Sequence, residues 1–221
     1  MKPPAWEAEM IGETVRGVHM RLSTAGWAMT TGRQLGLHAS SMTAMWEPLA
    51  VTDPRAPTKR HARDVISYQR TGSDILTAEE DSVAFITQHG DVIDDFSRVM
   101  FLDRWWGRRV AATFLSLAPP SDAWESGLVS ADYFVYSPGT VVTPHQDMFG
   151  RYVMIWCTER SEDCEGGVST LDGPHGSVLR AWLKPDDILI FHDERFHHGF
   201  TRLEAGTREA LILIELRKGH S

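Results

Sequence analysis

A mainly β fold, a sandwich or barrel with helices packed on one of its sheets, is predicted by three features of this 221-residue chain. Signals up to about residue 107 are helical. After it, short strand-forming runs follow at close spacing, separated by turn chemistry. The last run contains "ALILIEL" (210–216), apolar on both faces, as a strand covered on both sides should be. Helices first and strands afterwards place the helices on one sheet. The length suits a single domain, 1–221, with a mostly helical part (1–107) and a β core (108–218).

The helical part is read from spacing. Trp6, Met10, Ile11, Val15, Val18 and Leu22 recur with a helical period. "TAEEDSVAFITQHG" opens on a capping box, Thr77 with Glu80, and stops at Gly90. "DVIDDFSRVMFLDRWWG" is a further helix, with Asp91 as its cap. Between these helices, residues 47–64 are rich in proline and charge and read as a long loop. Strands are expected at 110–117, 131–137, 140–146, 151–158, 167–172, 177–183, 187–193, 196–203 and 208–217. Their separators include "SPGT", "DGPHG", "KPDD" and "EAGT".

Composition narrows the function. The formal charge is −8, from 30 acidic and 22 basic residues, so the basic footprint of a nucleic-acid binder is missing. The basic "DRWWGRR" (103–109) reads as a solvated helix end. Two cysteines, Cys157 and Cys164, make no disulfide framework. No apolar run approaches a membrane span, and "MKPPAWEAEM" has no secretory core. A small-molecule substrate and a cytoplasmic location are expected, with no nucleic-acid or membrane partner.

Chemistry concentrates in the β half. In "TVVTPHQDMFG", His145 and Asp147 lie two residues apart at a strand end, so both point to one face. A metal site needs a third ligand. "RFHHGFTR" offers two histidines, and Phe196, His198 and Phe200 share the more apolar face, which selects His198 over His197. His192 is the rival. Two imidazoles and one carboxylate leave coordination positions open, which suits a non-haem Fe(II) centre better than a closed structural zinc site. Arg208 opens the last strand and alternates with Ala210, Ile212 and Ile214, so it points inward. An inward arginine is costly without an anion, and a carboxylate fits its planar fork. A salt bridge with Glu204 is the competing reading.

These residues resemble the Fe(II)/2-oxoglutarate-dependent dioxygenases, whose pattern runs H-x-D, then H, then R. The chain is most similar to the bacterial group that hydroxylates free L-amino acids such as L-isoleucine. The stretches that carry this likeness are "HQDMFGRYVMIWCT", "GGVS" (166–169), "HDERFHHG" (192–199) and "GTREALIL", within about residues 108–217. Gln146, Met148, His192 and Val168 depart from that group's usual residues. The resemblance implies a double-stranded β-helix (jelly-roll, cupin-like) core. It implies Fe(II) held by His145, Asp147 and His198, with 2-oxoglutarate and O2 as cosubstrates. Arg208 would grip the far carboxylate of 2-oxoglutarate, with Tyr152 and Ser169 as candidate hydroxyls. The implied reaction hydroxylates an unactivated C–H and releases succinate and CO2. Asp147, where related halogenases carry a small residue, implies hydroxylation or desaturation instead of halogenation. For an amino-acid substrate the candidate contacts are Tyr133, Arg151, Glu194 and Arg70. The alternatives are a cupin-like metal protein that is no oxygenase, and an oxygenase acting on a carrier-bound or secondary-metabolite substrate.

Overall fold

The structure is a computed structural model that describes residues 5–38, 105–118, 129–136, 138–147 and 150–216. Helix α1 (Ala5–Ala25) buries Val18 and Leu22 on one face and ends at Gly26, whose φ of 83° lets the chain turn sharply. Strand β1 (Trp27–Thr31) follows. Helix α2 spans Trp105–Leu117. The remaining strands are β2 (Val129–Tyr136), β3 (Val142–His145), β4 (Gly150–Arg160), β5 (Glu165–Gly166), β6 (Ser169–Gly173), β7 (Gly176–Ala181), β8 (Asp187–His192), β9 (His197–Phe200), β10 (Leu203–Ala205) and β11 (Arg208–Leu216).

The strands form a five-stranded sheet, β1-β8-β4-β11-β2, and a four-stranded sheet, β3-β9-β6-β7; β10 pairs separately with β5. Most successive core strands change sheet: β2 lies in the large sheet, β3 in the small, β4 in the large, β6 and β7 in the small, β8 in the large, β9 in the small and β11 in the large. That alternation makes a double-stranded β-helix. Contacts that cross the sandwich include Phe191 to the His198 ring, Tyr136 and Arg208 to the Phe200 ring, and Arg208 to the Ser169 hydroxyl. Helix α1 packs on β1 and β8, and α2 packs on α1 and β11, so the helices cover the large sheet.

Two local expectations are corrected. Residues 110–117 are helical, not a strand. Val110, Phe114 and Leu117, all fully buried, recur at i, i+4 and i+7, a helical period that the β-forming Val, Thr and Phe had masked. After α2, the next strand among the described residues begins at Val129. Strand β1 lies inside the stretch read as helical; it pairs with β8 from Trp27↔Phe191 to Thr31↔Asp187 and buries alternate residues, Ala28 and Thr30. The helices expected over 77–90 and 91–107 and the loop at 47–64 lie outside the described residues, apart from the start of α2.

Candidate metal centre

Strands β3 and β9 build the site. They pair antiparallel, with His145 directly opposite His198 and Val142 opposite Phe200. Opposed residues project to the same face, so both imidazoles enter the sandwich together. Their ring centroids lie 4.4 Å apart. A Cβ at position 199 would collide with the Val142 carbonyl oxygen, so Gly199 is what lets β9 press against β3 beside the histidine. His198 is buried and stacks near Phe191, whereas His197 faces solvent.

Asp147 follows β3 and reaches both rings. Its Oδ1 lies 3.6 Å from His145 Nε2, and its Oδ2 lies 3.6 Å from His198 Nε2. The ligand atoms of all three residues fall within 4.8 Å of one another. The His145 Nδ1–H donates to the Thr143 carbonyl at 2.8 Å, which turns Nε2 toward Asp147. Burial lowers the His198 pKa to about 4, so this ring is neutral at neutral pH. Burial alone would lift the Asp147 carboxyl, but His198 and His145 outweigh it and hold the pKa below the ordinary aspartate value. Burial also opposes charging of His145, yet the neighbouring Asp147 raises its pKa. Asp147 Oδ2 and His198 Nδ1 are buried with no hydrogen-bond partner. An ionised carboxylate and a neutral imidazole are the forms a divalent metal takes, and the buried, unpartnered Oδ2 gives such an ion an attachment point. The donor set, two nitrogens and a carboxylate, therefore fits Fe(II).

Arg208 is 2% exposed. Its Nη2–H donates to Ser169 Oγ at 3.0 Å, while its Nε and Nη1 have no hydrogen-bond partner. The guanidinium sits 4.9 Å from the centre of the Phe200 ring and 5.8 Å from that of Tyr136. Burial lowers its pKa, yet an arginine remains charged. The Glu204 salt bridge is not what holds it, since Glu204 is exposed on β10.

Other predicted residues fall elsewhere. Tyr152 is not part of the Arg208 end. Arg208 pairs with Arg160, and Tyr152 stands eight residues earlier on β4, about 26 Å away along an extended strand. Tyr152 pairs with His192 and its ring meets that of His192, whereas the adjacent Phe191 points to the metal side. This also removes His192 as the rival ligand. Arg151 is engaged by the fold: its Nε and Nη2 both donate to the buried Glu215, each at 3.0 Å. Glu194 is exposed in the single 3-10 turn (Asp193–Arg195) before β9. Tyr133 lies on β2 opposite Leu211 of β11, and Arg70 lies outside the described residues. Sequence reasoning missed Asp193, whose carboxylate accepts the Asp147 backbone N–H at 3.0 Å.

No family model matches the sequence, and no curated protein matches it. Solved structures do match the fold. A prolyl hydroxylase from Trichoplax adhaerens, solved with a hypoxia inducible factor peptide fragment, aligns with a TM-score of 0.57 at 12% identity over 98% of this chain and 95% of its own. The chain has the double-stranded β-helix fold of 2-oxoglutarate/Fe(II) oxygenases. The Fe(II)/α-ketoglutarate-dependent dioxygenase TqaL aligns with a TM-score of 0.57 at 10% identity, over 98% of this chain and 92% of its own. A 2OG-Fe(II) oxygenase family oxidoreductase from Burkholderia pseudomallei aligns with a TM-score of 0.55 at 10% identity, over 92% and 90%. At such identities the likeness establishes the fold.

Proposed function

We propose that this protein is a non-haem Fe(II)/2-oxoglutarate-dependent dioxygenase that hydroxylates an unactivated C–H of a small substrate. In this reading His145, Asp147 and His198 hold Fe(II), and Arg208 with Ser169 receives the far carboxylate of 2-oxoglutarate. The observation that carries it is the Arg208 guanidinium: buried, bonded to one hydroxyl, with Nε and Nη1 unpartnered, and facing the same sandwich interior as the triad. A buried cation left in this state calls for an anion, and a dicarboxylic keto acid supplies one.

When bound, Fe(II) with the keto acid and O2 supplies the oxidising power, with succinate and CO2 as coproducts. The chain's own part is placement. Thr143 orients the His145 ring; Phe191 and the close approach at Gly199 seat His198; Phe200 and Tyr136 line Arg208 with apolar surface that keeps water from its charge. A free L-amino acid, or a small derivative of one, is the proposed substrate class. Its support is the order of "HQD", "GGVS", "HHG" and the late arginine.

The test is anaerobic addition of 2-oxoglutarate to Fe(II)-loaded protein. A visible charge-transfer band that vanishes in His198→Ala supports the reading, and free and carrier-bound amino acids are then compared by succinate release. A folded, iron-loaded protein without the band removes 2-oxoglutarate and favours a cupin-like metal protein.

A further inference from the structure

Asp193 is a buried acid beside the metal centre, at 1% exposure, and it stands in sequence between the two stretches that carry the ligands. Strand β3 ends at His145, where its pairing with β9 also ends, so the Asp147 backbone N–H has no ladder partner. Asp193 Oδ1 takes that N–H at 3.0 Å. The Asp193 carbonyl takes the Gln146 side-chain amide at 3.0 Å and the Phe196 N–H at 3.3 Å. The second of these closes the turn that leads into β9 and His198. One residue earlier, the His192 N–H donates to the Gly26 carbonyl at 2.8 Å, which ties the turn to the end of α1. The loop bearing Asp147 is thus fastened to a segment that is itself anchored at both ends.

We propose that Asp193 is a positioning residue that sets Asp147 against His198 through the acceptor it offers to the Asp147 N–H, and so preorganises the metal site. The inference rests on the metal reading above. Groups that orient a metal's ligands typically contribute about 10- to 100-fold in affinity. The role belongs to the oxygen as acceptor, not to the carboxylate charge, so an amide of the same shape should replace it.

The experiment titrates Co(II), whose visible absorption reports on coordination without turnover, into the metal-free full-length protein. Wild type gives a saturable spectrum and His198→Ala does not; failure of this arm overturns the metal reading itself. With that arm in place, Asp193→Ala weakens binding about 10- to 100-fold and alters the spectrum, while Asp193→Asn binds as wild type does. Wild-type affinity in Asp193→Ala overturns the inference, as does an Asp193→Asn variant as weak as the alanine. Circular dichroism and a melting curve establish that each variant is folded. If Asp193→Ala does not fold, Gln146→Ala decides: it removes the other half of the clamp, and a loss of about fivefold, one hydrogen bond's worth, is expected. Unchanged affinity and spectrum in that variant overturn the inference.

Discussion

Two buried arginines stand at opposite ends of the β4–β11 pair, yet their surroundings differ. Arg151, on β4 beside the end of β11, gives two parallel hydrogen bonds to Glu215. Arg208, the first residue of β11, has the Ser169 hydroxyl and two unpartnered nitrogens. A buried ion pair with matched geometry is part of the fold. A buried guanidinium with unmet donors is a cost the fold accepts for something it binds. Arg160, beside Arg208 on β4, shows the structural state by another route: its Nε and Nη2 donate to the Leu183 and Gly167 carbonyls at 2.7 and 2.9 Å, and its guanidinium lies 4.2 Å from the Trp182 ring centre. Burial alone therefore does not identify a ligand site; the balance of donors and acceptors does.

The contrast can be broken experimentally. The largest effect is expected for Glu215→Ala, which leaves Arg151 charged and buried without its carboxylate. About 3–5 kcal/mol of stability should be lost, read from denaturant unfolding, while folded protein still gives the charge-transfer band. A stability equal to wild type would show that Arg151 is not held by Glu215. Arg208→Met is the opposite case. Stability should hold or rise, because an uncompensated buried charge disappears, but the 2-oxoglutarate dissociation constant should rise by at least about 30-fold, the lower end for losing one side of a buried charged pair. A lower melting temperature with unchanged 2-oxoglutarate affinity would make Arg208 structural. The smallest effects separate the two hydroxyls first considered together. Ser169→Ala should weaken 2-oxoglutarate about fivefold, the share of a single hydrogen bond, and Tyr152→Phe should leave affinity unchanged. Equal losses in the two variants would contradict the placement of Tyr152 at the far end of β4.

Periodicity explains what was legible in the chain. From β2 to β11 the strands were marked by turn residues, except β5, which was not read as a strand, and β10, which was not separated from the run 196–203. His198 was separable from His197 because Phe196, His198 and Phe200 alternate on one face, and those three are buried. The inward direction of Arg208 followed from the same alternation. Helix α2 was misread because Val, Thr and Phe favour strands, and packing against α1 and β11 overrode that preference. Strand β1 was missed because a five-residue edge strand between helical signals has too few residues to show a period.

By itself, then, the sequence marked most of the strands, the shared face of His145 and Asp147, and the inward faces of His198 and Arg208, since each is read from alternation over a few positions; that His198 stands opposite His145 was decided by the pairing of β3 with β9. Tertiary structure decided the partners. Arg151 and Glu215 are 64 residues apart, and Asp147 and Asp193 are 46 apart. Local alternation tells which face a side chain takes but not what stands opposite it. Only the pairing of β4 with β11, and of β3 with β9, turned Arg151 into a structural ion pair, sent Tyr152 away from the Arg208 end and brought Asp193 to the Asp147 backbone.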